Sequence, residues 1–196
     1  MCHHFIANNQ NSLTDALTAF AALVAAGVAV YGIMQWKLQL RGKTDYEIAR
    51  RYLRASLKVR DAMKFVRNPF IPPQEQQTAL KEHGFNSEED TGETDHQKTN
   101  RAVYSLRWKK VIEAWTELEA ELLEAEVSWG KEAIEAQKPL DDLVRKLRSV
   151  VTLFLRGNSR PGEEDLIYDM GEDDVFSQQV TTAIKKIEDY LKPYLR

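Results

Sequence analysis

The sequence predicts an all-α protein, in which a single N-terminal transmembrane helix continues into an antiparallel four-helix bundle. Three observations lead there. Ala16 to Met34, ALTAFAALVAAGVAVYGIM, is nineteen residues without a charge. As a helix rising about 1.5 Å per residue it is roughly 28 Å long, close to the ~30 Å hydrocarbon thickness of a bilayer. Downstream, apolar residues recur at alternating steps of four and three, the spacing of one helix face. Charged residues make up 29% of the 196 and glycine numbers only 9, a balance that suits long helices better than sheets.

The apolar run, taken as a transmembrane helix over 16–35, competes with an Ala-rich helix buried in a soluble core. Against the latter, its apolar character runs all the way round rather than leaving a polar stripe. Tyr31 and Trp36 stand at its C-terminal end, where amphipathic rings favour the headgroup layer. Lys37, Arg41 and Lys43 follow, while the first fifteen residues hold neither Lys nor Arg. Basic flanks stay on the cytoplasmic side during insertion, so 1–15 is expected as an extracytoplasmic tail and 36–196 as a cytoplasmic helical domain of the inner membrane. A cleaved signal peptide fits poorly, because the leading segment carries Asp15 and no positive charge and the run is too long. Small residues recur four apart as Ala21, Ala25 and Ala29, and as Ala22 and Ala26. Such spacing lets two membrane helices approach closely, although alanine is simply abundant here.

The 1–15 tail contains Cys2, His3 and His4, chemically competent metal ligands on an ordinary polar terminus. Cys2 is the one cysteine, so no intramolecular disulfide and no cysteine-based zinc site is expected. Trp36 to Asn68 reads as a helix leaving the membrane, with Ile48, Tyr52, Ala55, Val59, Ala62 and Val66 on one face. Between Lys37 and Arg67 ten basic residues stand against three acidic ones. Lys37, Arg41, Lys43, Arg50, Arg51 and Arg54 are therefore candidates to contact lipid headgroups or acidic partners on neighbouring helices. Nucleic acid is the less favoured ligand, since no nucleic-acid motif accompanies the charge.

Asn68-Pro69 ends this helix. Phe70-Ile71-Pro72-Pro73 makes a stiff connection expected to tuck its two apolar side chains inward. At about 74–98 the balance turns acidic and a mobile loop is expected, with a turn or two of helix within Gln74 to Gly84. His83, Glu88, Glu89, Asp90, Glu93, Asp95 and His96 resemble a metal site in composition. A di-iron centre, however, needs two Glu-His pairs on rigid facing helices, and one copy is present.

Thr99 to Gln137 carries the cleanest pattern: Tyr104, Trp108, Val111, Trp115, Leu118, Leu122, Ala125 and Trp129 form a heptad seam, with Thr99 or Asn100 as cap. Its outer carboxylates, Glu113, Glu117, Glu119, Glu121, Glu124 and Glu126, read as a solvated or arginine-facing surface rather than acid-base catalysts. Pro139 is expected to begin the next helix, whose stripe is Leu140, Val144, Leu147, Val151 and Phe154, with Gly157 stopping it. After a loop over 158–170, Gly171 to Leu191 forms the last helix, led by Asp173 and Asp174, with Phe176, Val180, Ala183, Ile187 and Tyr190 facing inward.

No phosphate-binding glycine loop, serine elbow, repeated His-Glu pair or cysteine pair is present, so no enzyme, cofactor or catalytic residue is expected. The expected partners are membrane lipid and a protein, either a second copy or a cytoplasmic partner. The leading expectation is a binding or scaffold protein, its partner surface marked by Trp and Tyr residues beyond the needs of the core. The alternative is a membrane effector of toxin or phage-defence type that oligomerises through the alanine-lined helix.

Trp36-Lys37, Leu40, Gly42-Lys43, Tyr46-Glu47, Ala49-Arg50, Arg60-Asp61-Ala62 and Val66-Arg67-Asn68-Pro69 resemble a group of bacterial proteins with one N-terminal membrane helix and a helical cytoplasmic domain. The resemblance reaches from the anchor to Pro69. It implies a bacterial inner-membrane setting and brings no catalytic residues with it.

Overall fold

The computed structural model describes residues 3–83, 94–156, 164–168, 171 and 174–195, with side chains from Thr14 onward, excepting His83 and 164–165. The described residues hold helices and no strand, in order α1 (His3–Arg67), α2 (Pro73–His83), α3 (Asp95–Trp129), α4 (Glu132–Leu155), α5 (Glu164–Ile167) and α6 (Val175–Leu191). By internal contacts the chain divides into two compact units, Met1–Asp45 and Tyr46–Arg196.

The described side chains of the first unit belong to α1. From Thr14 to Thr44 every one is exposed, including Leu17, Phe20, Leu23, Val28 and Ile33. The helix holds an 18-residue window of mean hydropathy 2.1, none of it buried, and is long and apolar enough to cross a membrane. Its polar side chains are turned onto the helix itself. The Thr18 hydroxyl donates to the Thr14 carbonyl at 2.8 Å, and Gln35 Nε2 donates to the Tyr31 hydroxyl at 3.1 Å. That back-bonding removes the polar cost a hydroxyl would carry into hydrocarbon. Residues expected as a tail begin this helix at His3, while the side chains of His3 and His4, and all of Cys2, lie outside the described residues.

In the second unit, α1 contributes Ile48, Ala49, Tyr52, Ala55, Val59, Met63 and Val66 to a core shared with α3, α4 and α6 and closed by Ile167 of α5. On α3 the seam alternates: Tyr104, Val111, Leu118 and Ala125 are fully buried, while Trp108, Trp115, Leu122 and Trp129 pack around them half-buried. A seven-residue repeat drifts only about 20° per heptad on a straight helix, so one line of side chains stays inside for its whole length. Trp129 stacks on Tyr194, ring centroids 4.1 Å apart, and Tyr104 meets Phe154 edge-on at 5.4 Å. A smaller cluster of Ala79, Ala102 and Val103 joins α2 to the start of α3.

Several boundaries differ from expectation, each for an identifiable reason. The 74–98 segment is not wholly loop: α2 makes three turns, and α3 starts at Asp95. A capping box closes that start, with Thr94 accepting from the Gln97 N–H and Gln97 reaching back to the Thr94 N–H at 3.0 Å. The cap is thus Thr94, not Thr99 or Asn100. Glu88, Glu89, Asp90 and Glu93 lie outside the described residues, as does Gly157.

The break expected at Pro139 occurs at Gly130, whose φ of 88° takes the chain where side-chain-bearing residues rarely go. Pro139 sits inside α4. Its missing N–H orphans the Glu135 carbonyl, and Lys186 of α6 donates to that oxygen at 3.0 Å. Phe70, expected to tuck inward, is exposed, while Ile71 packs on the α2 cluster. On α6 the N-cap is Asp174, with Asp173 outside the described residues.

Candidate functional site

Charge is rarely buried without a partner, so the two fully buried arginines among the described residues, Arg67 and Arg107, locate the most constrained chemistry. Arg67, 2% exposed, ends α1. Its Nε donates to the Leu166 carbonyl at 2.8 Å, Nη2 to the Tyr168 carbonyl at 2.8 Å, and Nη1 to Ser177 Oγ at 2.9 Å and to Asp174 Oδ2. The guanidinium plane also covers the Phe176 ring, 4.7 Å from its centroid. Asp174 in turn caps α6, accepting from the Phe176 and Ser177 N–H groups at 3.3 and 3.1 Å. Burial pushes the Asp174 carboxyl upward. The Arg67 hydrogen bond, the Ser177 contacts and the Arg67 charge outweigh it and hold the group down at about 2.

Arg107, 0% exposed, plays the equivalent part on α3. Its Nε and Nη2 form a bidentate fork on Glu75 of α2 at 2.8 and 2.9 Å. Nη1 donates to the Asn68 carbonyl at 2.5 Å and Nη2 to the Phe70 carbonyl at 2.8 Å. Phe65 lies beneath it, 5.0 Å from its ring centroid. Both arginines hold the irregular backbone that follows or faces the end of α1, and both are structural in what they touch. Tyr52 is similarly committed: its hydroxyl donates to the Ala133 carbonyl at 3.2 Å, and burial raises its pKa.

The basic residues of α1 divide by helix face. Arg51 pairs with Glu121 at 3.1 Å and with Glu124, and Lys58 pairs with Glu117 at 2.7 Å, tying α1 to the outer edge of α3. These contacts are exposed, and each is worth about 0–1 kcal/mol. Arg50 and Arg54 are exposed on the adjoining outer face of the same helix, turned further from the core than Arg51 and Lys58. Lys37, Arg41 and Lys43 are exposed in the first unit, as are Tyr31, Trp36, Ala21, Ala22, Ala25, Ala26 and Ala29.

A groove of about 460 Å³ between α1 and α6 is lined by Arg60, Asp61, Lys64, Phe176 and Thr181, among others. Arg60 pairs with the neighbouring Asp61 on the α1 side at 2.8 Å, and Arg67, also lining it, is bound to Asp174. Of the acidic residues read for metal chemistry, Asp95 and His96 stand in the first turn of α3, where His96 Nε2 lies 3.3 Å from Asn100 Nδ2. Among the described residues no group of three His, Cys, Asp or Glu converges on a common point.

One surface remains. The tryptophans of α3, expected to help mark a partner face, pack against the core, and the large apolar side chains left exposed on α3 are Ile112, Leu123 and Val127. Sequence reasoning missed this strip because the heptad seam on the other side of the helix is so much stronger. It also missed Arg107, although an arginine three residues after Tyr104 and four before Val111 occupies a core step of the apolar pattern. No protein-family model, curated protein or solved structure matches the chain.

Proposed function

We propose that this protein is a membrane-anchored binding or scaffold protein. The 1–15 segment lies outside a bacterial inner membrane, the apolar run of α1 crosses it, and the residues from Tyr46 onward form a cytoplasmic antiparallel four-helix bundle of α1, α3, α4 and α6 that is presented to a partner. The observation that carries the reading is the wholly unburied apolar window of α1. Leu17, Phe20, Leu23, Val24, Val28, Val30, Ile33 and Met34 are each at least half exposed. Fully burying one such side chain is worth about 1.5–3 kcal/mol, so leaving all of them in water is far costlier than placing them in lipid.

Orientation follows from the lysines and arginines, which begin at Lys37 and are missing from the first fifteen residues. In this arrangement Tyr31 and Trp36 lie at the headgroup layer, and Lys37, Arg41 and Lys43 face anionic lipid. The alanines spaced by four offer a close-packing face to another membrane helix. Binding is preferred to catalysis because the buried charges described above are committed to holding backbone.

Because Cys2 is the one cysteine, a membrane-impermeant maleimide tests the topology directly. The chain is expected to sediment with membranes, to resist carbonate extraction and to be labelled in intact cells. A Cys2→Ser, Ser128→Cys variant is expected to be labelled only after lysis. A folded, monodisperse protein in the detergent-free supernatant would overturn the proposal, and labelling of Ser128→Cys in intact cells would overturn its orientation.

A further inference from the structure

Outside the first unit, the large exposed apolar side chains among the described residues are Tyr46, Phe70, Ile112, Leu123, Val127 and Val175. Three of the six fall on a single line of α3. Ile112, Leu123 and Val127 are 53%, 62% and 82% exposed, and Thr116 and Ala120, exposed as well, fill the steps between them. The intervals are four, four, three and four. At about 100° per residue these five side chains share an arc of roughly 80°, the width of a helix-pairing seam, and they run about 22 Å along the axis. The strip lies opposite the buried line Tyr104, Val111, Leu118 and Ala125, so α3 carries one apolar seam used inside and a second left open.

Charge selects the occupant. One edge of the open seam is Glu113, Glu117 and Glu124 and the other is Glu119 and Glu126, with Lys109 alone at the amino-terminal end. A second copy docked along the same seam would set these carboxylate rows against each other, and an anionic bilayer would be repelled by them. On one edge Arg51 answers Glu124 and Lys58 answers Glu117, so the row that opposes a like-charged occupant is chiefly Glu119 and Glu126, where Glu119 accepts from the Trp115 indole N–H at 2.8 Å. We propose that the Ile112–Val127 face of α3 docks an amphipathic helix of another protein, one whose apolar seam is flanked by lysine or arginine. This rests on the reading of the chain as a binding protein and names the chemistry of its partner. The aliphatic seam supplies affinity, and the acidic edges exclude acidic helices and set the register.

The test uses the full chain in nanodiscs of neutral phosphatidylcholine, so that lipid charge plays no part. The probes are two labelled 21-residue helical peptides with the same leucine seam, one flanked by Lys and Arg and the other by Glu, followed by fluorescence anisotropy. The basic peptide is expected to bind at least tenfold more tightly, an advantage that shrinks as salt is raised. Leu123→Gln with Val127→Asn, both on an exposed surface and checked for unchanged near-ultraviolet circular dichroism, is expected to weaken it by about tenfold or more, since each tenfold is 1.4 kcal/mol and the two side chains lose that much apolar burial. Glu119→Gln with Glu126→Gln is expected to flatten the salt dependence while sparing the seam.

Equal binding of both peptides, or binding indifferent to Leu123→Gln and Val127→Asn, would overturn the inference. So would a chain that is dimeric in nanodiscs and becomes monomeric in that variant, since the seam would then hold a second copy. Membrane association is read separately by sedimentation. A soluble chain that still binds the basic peptide defeats the anchoring alone, and an anchored chain that does not bind it defeats the docking alone.

Discussion

Arg67→Met removes the guanidinium at the end of α1 while keeping most of the side-chain length. Asp174 then keeps its charge in a buried site with only Ser177 and the α6 N-terminus to answer it, and the carbonyls of Leu166 and Tyr168 lose the donors at 2.8 Å. Breaking a buried pair by removing one partner costs about 3–5 kcal/mol. At about 2–4 °C per kcal/mol for a chain of this size, the melting temperature should fall by roughly 6–20 °C. Asp174→Asn keeps a capping oxygen but strands Arg67. The double variant strands no charge, so its loss should fall short of the sum by at least about 1 kcal/mol. The assay is thermal unfolding of the full chain in detergent micelles at pH 7, followed by near-ultraviolet circular dichroism. That signal reports the packed aromatic side chains and not the detergent-held helix. A loss below about 1 kcal/mol for Arg67→Met, or strict additivity of the two single changes, would refute the claim that this pair locks α1 to α6.

The same carboxyl sets an acid limit. A group held at about 2 against an ordinary 3.8 stabilises the fold above the ordinary value and loses that contribution as pH falls from about 4 to 2, which is worth about 2 kcal/mol and should vanish from the difference between wild type and Asp174→Asn at pH 2. At the alkaline end burial, aided by neighbouring tyrosines, pushes Tyr104 and Tyr190 up to about 12, so stability should decline as pH rises from about 10 to 12, measured by the same melts. Arg107→Met should leave Glu75 and the Asn68 and Phe70 carbonyls unanswered and loosen α2, seen as a ten- to hundredfold loss of amide exchange protection across Ile71 to His83 for about 1.5–3 kcal/mol of local stability. Gly130→Ala should cost about 1–3 kcal/mol, because φ 88° with ψ −165° is backbone that essentially only glycine adopts, and the melt should drop by several degrees, the Glu132 carboxylate nearest the new Cβ being free to swing aside.

What was legible in the sequence follows from periodicity. The inward faces of α1, α3, α4 and α6 were readable because a helix that buries one side must repeat apolar residues at that side. Val59, Leu118, Leu147 and Ile187 are each fully enclosed where the pattern puts them. Breakers were read less well. The stop falls at glycine and not at proline, because a proline is tolerated inside a helix once another side chain, here Lys186, answers the carbonyl it orphans. Thr94 was passed over as a cap because its partner Gln97 lies inside a stretch dominated by carboxylates. Nothing local marks Arg67 or Arg107 as buried. Their burial depends on backbone carbonyls and on carboxylates 32 and 107 residues away in the chain, and long-range pairings of that kind leave no local signature. The open seam of α3 was hidden for the opposite reason, since three aliphatic residues among carboxylates read as ordinary surface until the buried line across the helix is known.

The two arginines have a mechanical consequence. Where α1 ends, Arg67 grips the chain ahead of α6 while Arg107 grips the Asn68–Phe70 exit, so the terminus is clamped from two sides. Sliding the helix by a single turn, about 5.4 Å, would carry Arg67 out of reach of Leu166, Tyr168, Asp174 and Ser177 together. A pull or twist applied to α1 near this end therefore meets a latch that either holds or lets go, and motion there is stepwise rather than graded.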